Sequence, residues 1–465
     1  MNNFEKVLNK QGRRPNSVAV IGALFGDEGK GRITDELADY FLNTKKFKHI
    51  VVYRDNGGAN AGHTISMKGK KIGLHQIGSG ILHKGCNVVL GKGMVMHPGD
   101  LLEEITEIKE VFELNELPAK LMIDEMAVLS LDTHRAFESA LKGRSSKSLG
   151  SQAATGRGIS PAYGDVIYRF PLRMRDLLKK HWKEIFTEHY TRYSDWISGM
   201  GFDMKKMKIQ RYKGREYTVG NCKKFLKDLE ESRKILKIYI CDVHDFLKKT
   251  WASDTPFIFE KAQAIGLDIR WGIYPDVSAS NCTLDGITYS TEGIIDANDI
   301  SGRLGVIKST YTSSVGKRIV PTSMEEKYAK VLRDDANEYG TTTGRPRNIL
   351  YMDAVMLKYF CEVGGIEELV FTHMDIVYDR PVKVCIKYEK KGKRIEYRPD
   401  QEWLLGIKPV YKEFKEWNKD IFKDIKKYKS LPKEVISFVE YLSLNTNTTP
   451  VMITYGPDRN DTLFI

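Results

Sequence analysis

The chain has 465 residues, 41% hydrophobic and 29% charged, with a formal net charge of +12. That excludes a disordered or fibrous class, and the spread-out lysines, with no arginine-rich tail or zinc motif, predict a site for polyanionic small molecules and not for nucleic acid. Six scattered cysteines form no CxxC pair, and no apolar run reaches the ~18 residues of a membrane helix, so a disulfide framework and a membrane span are both excluded and a reducing, cytoplasmic setting is expected.

Residues 1–16 lack an apolar signal core and are expected to be a polar tail. From 17 to about 130, short apolar strands (SVAVIGAL, HIVVYRD, NVVLGKG, KLMIDE) alternate with helical stretches such as Pro98–Phe112. That alternation predicts an α/β fold with a large, mostly parallel central sheet flanked by helices. Gly143–Gly164 is glycine-rich and polar and is expected to be a loop; 171–250 is mainly helical and rich in lysine. Strand signals return at PFIFE, GVIKSTY and ELVFTHMDIV, with a helix over Asp353–Gly364 before the last. A β-hairpin turning at Lys391-Gly392, a helix near Pro432–Leu444 and a closing strand PVMITYG complete the chain. No linker marks a boundary, so 17–465 is expected to form one catalytic domain with smaller helical and hairpin parts.

Six segments carry chemistry. The first, GDEGKGR over Gly26–Arg32, follows a strand and opens a helix with Ile33, Leu37 and Phe41 on one face. It is a P-loop-like cradle of backbone N–H groups, but the GxxxxGK[ST] spacing would need Gly at Leu24 and a hydroxyl at Gly31. Asp27 and Glu28 stand inside it. A carboxylate beside phosphates repels them unless it holds a metal ion or takes up a proton, so the loop is built for chemistry as well as grip. The second, DNGGANAGHTI, places His63 between Gly62 and Thr64 in a glycine-rich loop, where a catalytic or phosphate contact is expected. AATGRGISPAYGD offers Thr155, with Arg169 shortly after; the Phe259–Thr283 segment offers Gln263 and Ser278. EYGTTTGRPRN carries three threonines and the planar forks of Arg345 and Arg347, suited to carboxylate or phosphate. Finally, Asp375 in FTHMDIV ends an apolar strand, where a carboxylate can accept from N1–H and the 2-amino group of guanine.

In this order, GDEGKG, NAGHT, TGRGI-PAY, AQ--LDI--G-YP-V--SN, TTGRPR and the closing GPDR resemble the adenylosuccinate synthetase family over nearly the whole chain. The resemblance implies a homodimer that ligates L-aspartate to IMP with GTP and Mg²⁺ through 6-phosphoryl-IMP. Asp27 would be the base at N1 of IMP, His63 the acid on the departing β-phosphate side and Lys30 a charge-neutralising third catalytic group; Asp27 and the Gly62 carbonyl would hold Mg²⁺. IMP contacts map onto Asp27, Lys30, Asn60, His63, Thr155, Gln263, Ser278 and Arg345, with Arg169 reaching across to the neighbouring subunit. Aspartate would meet Thr341, Thr342, Thr343 and Arg345. GTP would meet Gly26, Glu28, Gly29, Lys30, Gly31, Gly62, Thr64, Arg347, His373, Asp375, Thr454, Tyr455 and Gly456.

The chain also departs from the family pattern. His373 stands where Lys is usual, Ser278 where Thr is, Leu24 where Gln is, Ala153-Ala154 where Gly-Thr is and Ser314 where Arg is. Another 6-oxopurine nucleotide such as dGMP, ATP as donor, and a non-catalytic nucleotide-binding regulator stay open as alternatives.

Overall fold

The run Val18-Ala19-Val20-Ile21 is buried on both sides, and its alternate residues enter different cores: Val18 and Val20 one, Ala19 and Ile21 the other. A continuous apolar run of this kind marks a strand covered by helices on both faces. The computed structural model describes all residues except 68, 145–154, 315–317, 319, 340–345, 424, 457 and 460. Ten strands form the central sheet: β1 (Arg14–Gly22), β2 (Ile50–Arg54), β3 (Cys86–Leu90), β4 (Lys120–Asp124), β5 (Ile240–Cys241), β6 (Phe257–Glu260), β7 (Ile300–Lys308), β8 (Glu368–Thr372), β9 (Thr449–Thr454) and β10 (Thr462–Phe464). Their order is β5-β4-β3-β2-β6-β1-β7-β8-β9-β10. Only the terminal β9–β10 pair is antiparallel. In register, Val18 of β1 lies between Ile258 of β6 and Gly302 of β7.

Parallel strands put all their carboxyl ends on one edge. The segments that follow β1, β2, β6, β7, β8 and β9 therefore gather there, and these contain the phosphate loop, NGGANAGH, KAQ, STYTSS, HMD and YG. This edge is where ligands bind in open α/β sheets.

Most predicted elements are found, but β7 begins at Ile300, five residues before GVIKSTY, and β8 stops at Thr372, so Asp375 lies three residues past the strand end and not at it. The helix over Pro98–Phe112 has the expected bounds. The next runs over Ala354–Gly364, with Asp353 as N-cap accepting from Val355 N (3.1 Å) and Met356 N (3.0 Å). The late helix spans Lys433–Thr446. The hairpin pairs Val382–Lys390 with Lys393–Ile395, and Lys391 (φ 52°) and Gly392 (φ 75°) supply the two positive φ values its tight turn requires.

Three expectations are corrected. Residues 1–16 are not a plain polar tail: a helix runs over Asn3–Val7, Phe4, Val7 and Leu8 are buried, and Arg13 pairs in a fork with Glu367 at 2.7 Å. The Gly143–Gly164 loop gives way to a helix over Ile159–Tyr168, where Gly158 (φ 70°) opens the first turn. Part of the DNGGANAGHTI loop is a hairpin, His63–Met67 against Lys70–Leu74. No helix among the described residues is long and apolar enough to cross a membrane.

Candidate active site

The phosphate loop leaves β1 through Gly26 (φ 91°), Asp27 (φ 57°) and Gly29 (φ 93°), and Lys30 then begins the Lys30–Asp39 helix. The left-handed backbone at Asp27 separates the two carboxylates. Glu28 turns inward: it accepts from Gly26 N at 2.7 Å, Leu24 N at 3.4 Å and Lys30 Nζ at 2.7 Å. Asp27 stays 38% exposed at its side chain and ion-pairs through Oδ2 with Arg347. Gly22 has to lack a side chain, because a Cβ would lie 2.7 Å from Glu28 Oε2 and 2.6 Å from the Gln263 carbonyl.

Arg347 in turn donates to Glu338 Oε2 at 2.6 Å. Burial opposes its charge, but Asp27 and Glu338 more than offset that and raise its pKa. Glu338 itself is buried; burial favours its neutral form, yet Lys308 and Arg347 pull its pKa down to about 2. Its Oε1 accepts from Lys308 and from Tyr311 Oη, the latter at 2.7 Å.

His63 begins its strand against the first turn of the Lys30–Asp39 helix: a Cβ on Gly31 would meet His63 Cβ at 2.7 Å. The ring is buried, and Nδ1 bonds to Glu260 Oε1 at the end of β6. Glu260 also accepts from Ser79 N at 2.8 Å and Ser79 Oγ at 2.5 Å. Burial opposes ionisation of Glu260, but His63, Arg54 and Ser79 hold its pKa below the ordinary value. Burial lowers that of His63, so we assign a neutral ring. An ionised carboxylate only accepts, so the His63 proton sits on Nδ1 and Nε2 is left as the free lone pair.

Of the residues expected to meet the purine nucleotide, Asn60, Gln263 and Ser278 lie in the segments that follow β2 and β6 on this edge. Asn60 Oδ1 accepts from Gly58 N at 3.1 Å. Gln263 (φ 58°) packs so close to Gly57 that a Cβ there would lie 3.0 Å from its Oε1. Ser280 Oγ donates to that oxygen at 2.9 Å, while Gln263 Nε2 is buried with no hydrogen-bond partner among the described residues. Ser278 Oγ lies 3.2 Å from Ser280 Oγ. Thr64 is exposed in the hairpin opposite Gly73. Thr155 is exposed beside residues outside the description, and Arg169 (φ 69°) stands exposed at the end of its helix next to exposed Ile167 and Tyr168. Thr341, Thr342, Thr343 and Arg345 lie outside the described residues.

The base-side loop follows β8. Thr372 Oγ1 donates to the Glu28 carbonyl at 2.7 Å, so this strand end is tied to the phosphate loop. His373 (φ 54°) lies with Nδ1 at 3.1 Å from Tyr311 Oη. Met374 N donates to the Thr454 carbonyl at 3.0 Å, and Trp417 Nε1 donates to the Met374 carbonyl at 3.0 Å. Asp375 is half-buried, and burial raises its pKa. The Tyr455 ring stacks on Phe422 at 5.0 Å, and Gly456 packs against Asp461.

Sequence reasoning missed Glu260, Lys308, Tyr311 and Glu338 as site residues. Glu260 and Lys308 end apolar strands, the same signal that singled out Asp375.

The family model for adenylosuccinate synthetase matches residues 19–463. The chain belongs to the adenylosuccinate synthetase family. It is 33% identical to the adenylosuccinate synthetase of Caldicellulosiruptor saccharolyticus over 450 residues, 95% of this chain and 97% of that one. It is also 33% identical to the Thermus thermophilus adenylosuccinate synthetase over 454 residues, 96% and 98% of the two chains. The fully ligated adenylosuccinate synthetase of Plasmodium falciparum superposes with a TM-score of 0.83 at 28% identity, covering 97% of this chain and all of that one. A cyanophage S-2L succinoaminodeoxyadenylate synthetase, bound to dGMP and dATP, shares the fold with a TM-score of 0.59 at 16% identity over 97% and 95% of the chains. Adenylosuccinate synthetase membership makes the chain a ligase of purine nucleotide biosynthesis, acting on IMP and aspartate, as the motifs led us to expect.

Proposed function

We propose that the chain ligates L-aspartate to IMP at the expense of GTP through a 6-phosphoryl-IMP intermediate, giving adenylosuccinate, GDP and phosphate. The observation that carries this reading is the Asp27 carboxylate, held out of a phosphate loop by positive φ and gripped by Arg347. A carboxylate in that place serves as a base for N1 of IMP. Loss of the N1 proton turns O6 into an oxyanion-like nucleophile, which attacks the γ-phosphorus of GTP and releases GDP. Gln263 Nε2, buried without a partner among the described residues, then has one in the developing charge on O6. Lys30 gives one of its three donors to Glu28 and keeps two for phosphate oxygens. His63, carrying its proton on Nδ1 toward Glu260, takes up a second proton at Nε2 to donate on the β-phosphate side. The aspartate amine next forms the C6–N bond, the C6–O bond breaks, and the purine oxygen leaves within phosphate.

The donor set suits Mg²⁺: a half-exposed Asp27 carboxylate and the Gly62 carbonyl are hard oxygen ligands in a loop open to phosphates. Those two groups would hold the ion, and when bound it offsets phosphate charge during transfer. Of the remaining expectations, we assign Asn60, Thr155, Ser278 and Arg345 to IMP and Thr341–Thr343 with Arg345 to aspartate. The Gly26–Gly31 amides, Thr64 and Arg347 go to the GTP phosphates, and Asp375 with His373 and Thr454–Gly456 to its base. We assign Arg169, exposed beside exposed Ile167 and Tyr168, to the site of a second copy in a homodimer. The test is a substrate panel with aspartate, IMP or dGMP each with GTP or ATP, followed by mass: the aspartate adduct of IMP is expected in the GTP arm, and an aspartate adduct from dGMP alone contradicts the assignment.

A further inference from the structure

Glu338, Tyr311 and His373 form a hydrogen-bonded series whose proton order is fixed by chemistry. Glu338 is a carboxylate that receives Lys308, Arg347 and Tyr311 together, so it only accepts. Tyr311 therefore spends its single O–H proton on Glu338 Oε1 at 2.7 Å. Its oxygen can meet His373 Nδ1, 3.1 Å away, only as an acceptor. The His373 proton is thus on Nδ1, and Nε2 of the neutral ring is a bare lone pair. Tyr311 is fully buried and its ring stands edge-on to the half-buried imidazole, at 6.1 Å and 81°. Burial, and Lys308 next, push the His373 pKa down to about 4, which keeps the ring neutral at working pH.

We infer that His373 is a specificity-determining residue: the Glu338–Tyr311 relay locks it as a hydrogen-bond acceptor for the exocyclic amine of the phosphoryl donor's base. The inference rests on the donor reading above, in which Asp375, two residues on, accepts from the ring N–H and one amine hydrogen of guanine. The second amine hydrogen then falls to His373 Nε2. A 6-oxopurine triphosphate without that amine, ITP, loses the amine bond to Asp375 as well as that to His373 and is disfavoured about a hundredfold, about tenfold for each bond.

The test uses the full-length protein labelled with ¹⁵N-histidine. Two-bond ¹H–¹⁵N spectra give the tautomer of His373, its signal identified by loss in His373→Leu. Protonated Nδ1 is expected in the wild type and a shift to protonated Nε2 in Tyr311→Phe. In parallel, kcat/KM is measured with GTP and ITP. The wild type should favour GTP about a hundredfold, Tyr311→Phe and His373→Leu should each cut that ratio about tenfold while Asp375 keeps the rest, and His373→Gln, whose amide oxygen also accepts, should restore part of the loss. A wild-type ring protonated on Nε2, or a GTP-to-ITP ratio left unchanged by His373→Leu, overturns the inference while leaving GTP-driven ligation intact. Absence of any GTP-driven turnover in the wild type instead overturns the donor reading itself, and the inference with it.

Discussion

In the proposed mechanism the chemistry is decided at Asp27. Its carboxylate is held out of the phosphate loop and paired with Arg347, whereas Glu28, one residue on, is consumed by backbone amides and Lys30. Asp27→Asn removes the base and keeps the shape, so turnover should fall by about 10³-fold with GTP affinity little changed, read by phosphate release and by nucleotide titration. Glu260→Gln should lower kcat by about tenfold or more, with KM for GTP nearly constant, because Glu260 fixes the tautomer and orientation of His63 rather than touching substrate. His373 gives a pH dependence of stability. Its folded pKa is about 4, below the ordinary value of about 6.5, so the unfolded chain binds the extra proton first. Stability should therefore fall as pH drops from about 6.5 toward 4, and the slope should flatten in His373→Gln, as measured by denaturant melts at each pH. Asp27 and His63 were visible in the sequence because glycine-rich segments after strands have few other uses. Glu260 was not: it meets His63 across 197 residues, and nothing local in PFIFE announces a partner that far away.

At the scale of elements, glycines set how closely strand ends and loops approach. A Cβ on Gly58 would sit 1.8 Å from the Val95 carbonyl oxygen, which leaves no room for any side chain. Gly58→Ala should cost more than about 3 kcal/mol in urea unfolding or prevent folding. Most elements were legible because each carries its own local signal. Continuous apolar runs named the buried strands, the glycine loop and the Ile33/Leu37/Phe41 stripe named the phosphate-loop helix, and Lys391-Gly392 named a turn. His63–Ile65, the start of the hairpin that pairs His63–Met67 with Lys70–Leu74, was read as part of a loop because glycines and polar residues hide a period-two pattern that only its pairing supports. The Asn3–Val7 helix was missed for a similar reason: five residues are too few to stand alone, and it is held by burial of Phe4 and Val7 and by backbone bonds to Ile465.

Across the whole molecule, the strand order could not be read from the sequence. It follows from which long-range pairings bury the apolar strands on both faces, and it places β1 and the phosphate loop between β6 and β7. That order brings Glu260, Asp27 and Lys308 to one edge from three distant stretches of chain. The proposed dimer has a direct test at this scale. Arg169→Ala and Asp27→Asn should each be nearly inactive, yet an equal mixture should recover about a quarter of wild-type activity, because hybrid dimers hold one intact site. No recovery on mixing, with dimers present by sedimentation, would place Arg169 outside the neighbour's site.

The central claim is that the purine's own oxygen accepts the phosphoryl group. IMP labelled with ¹⁸O at position 6 tests it most directly, with the released phosphate analysed by mass. We expect one ¹⁸O atom in each phosphate formed; phosphate free of label, alongside normal adenylosuccinate yield, would contradict the account.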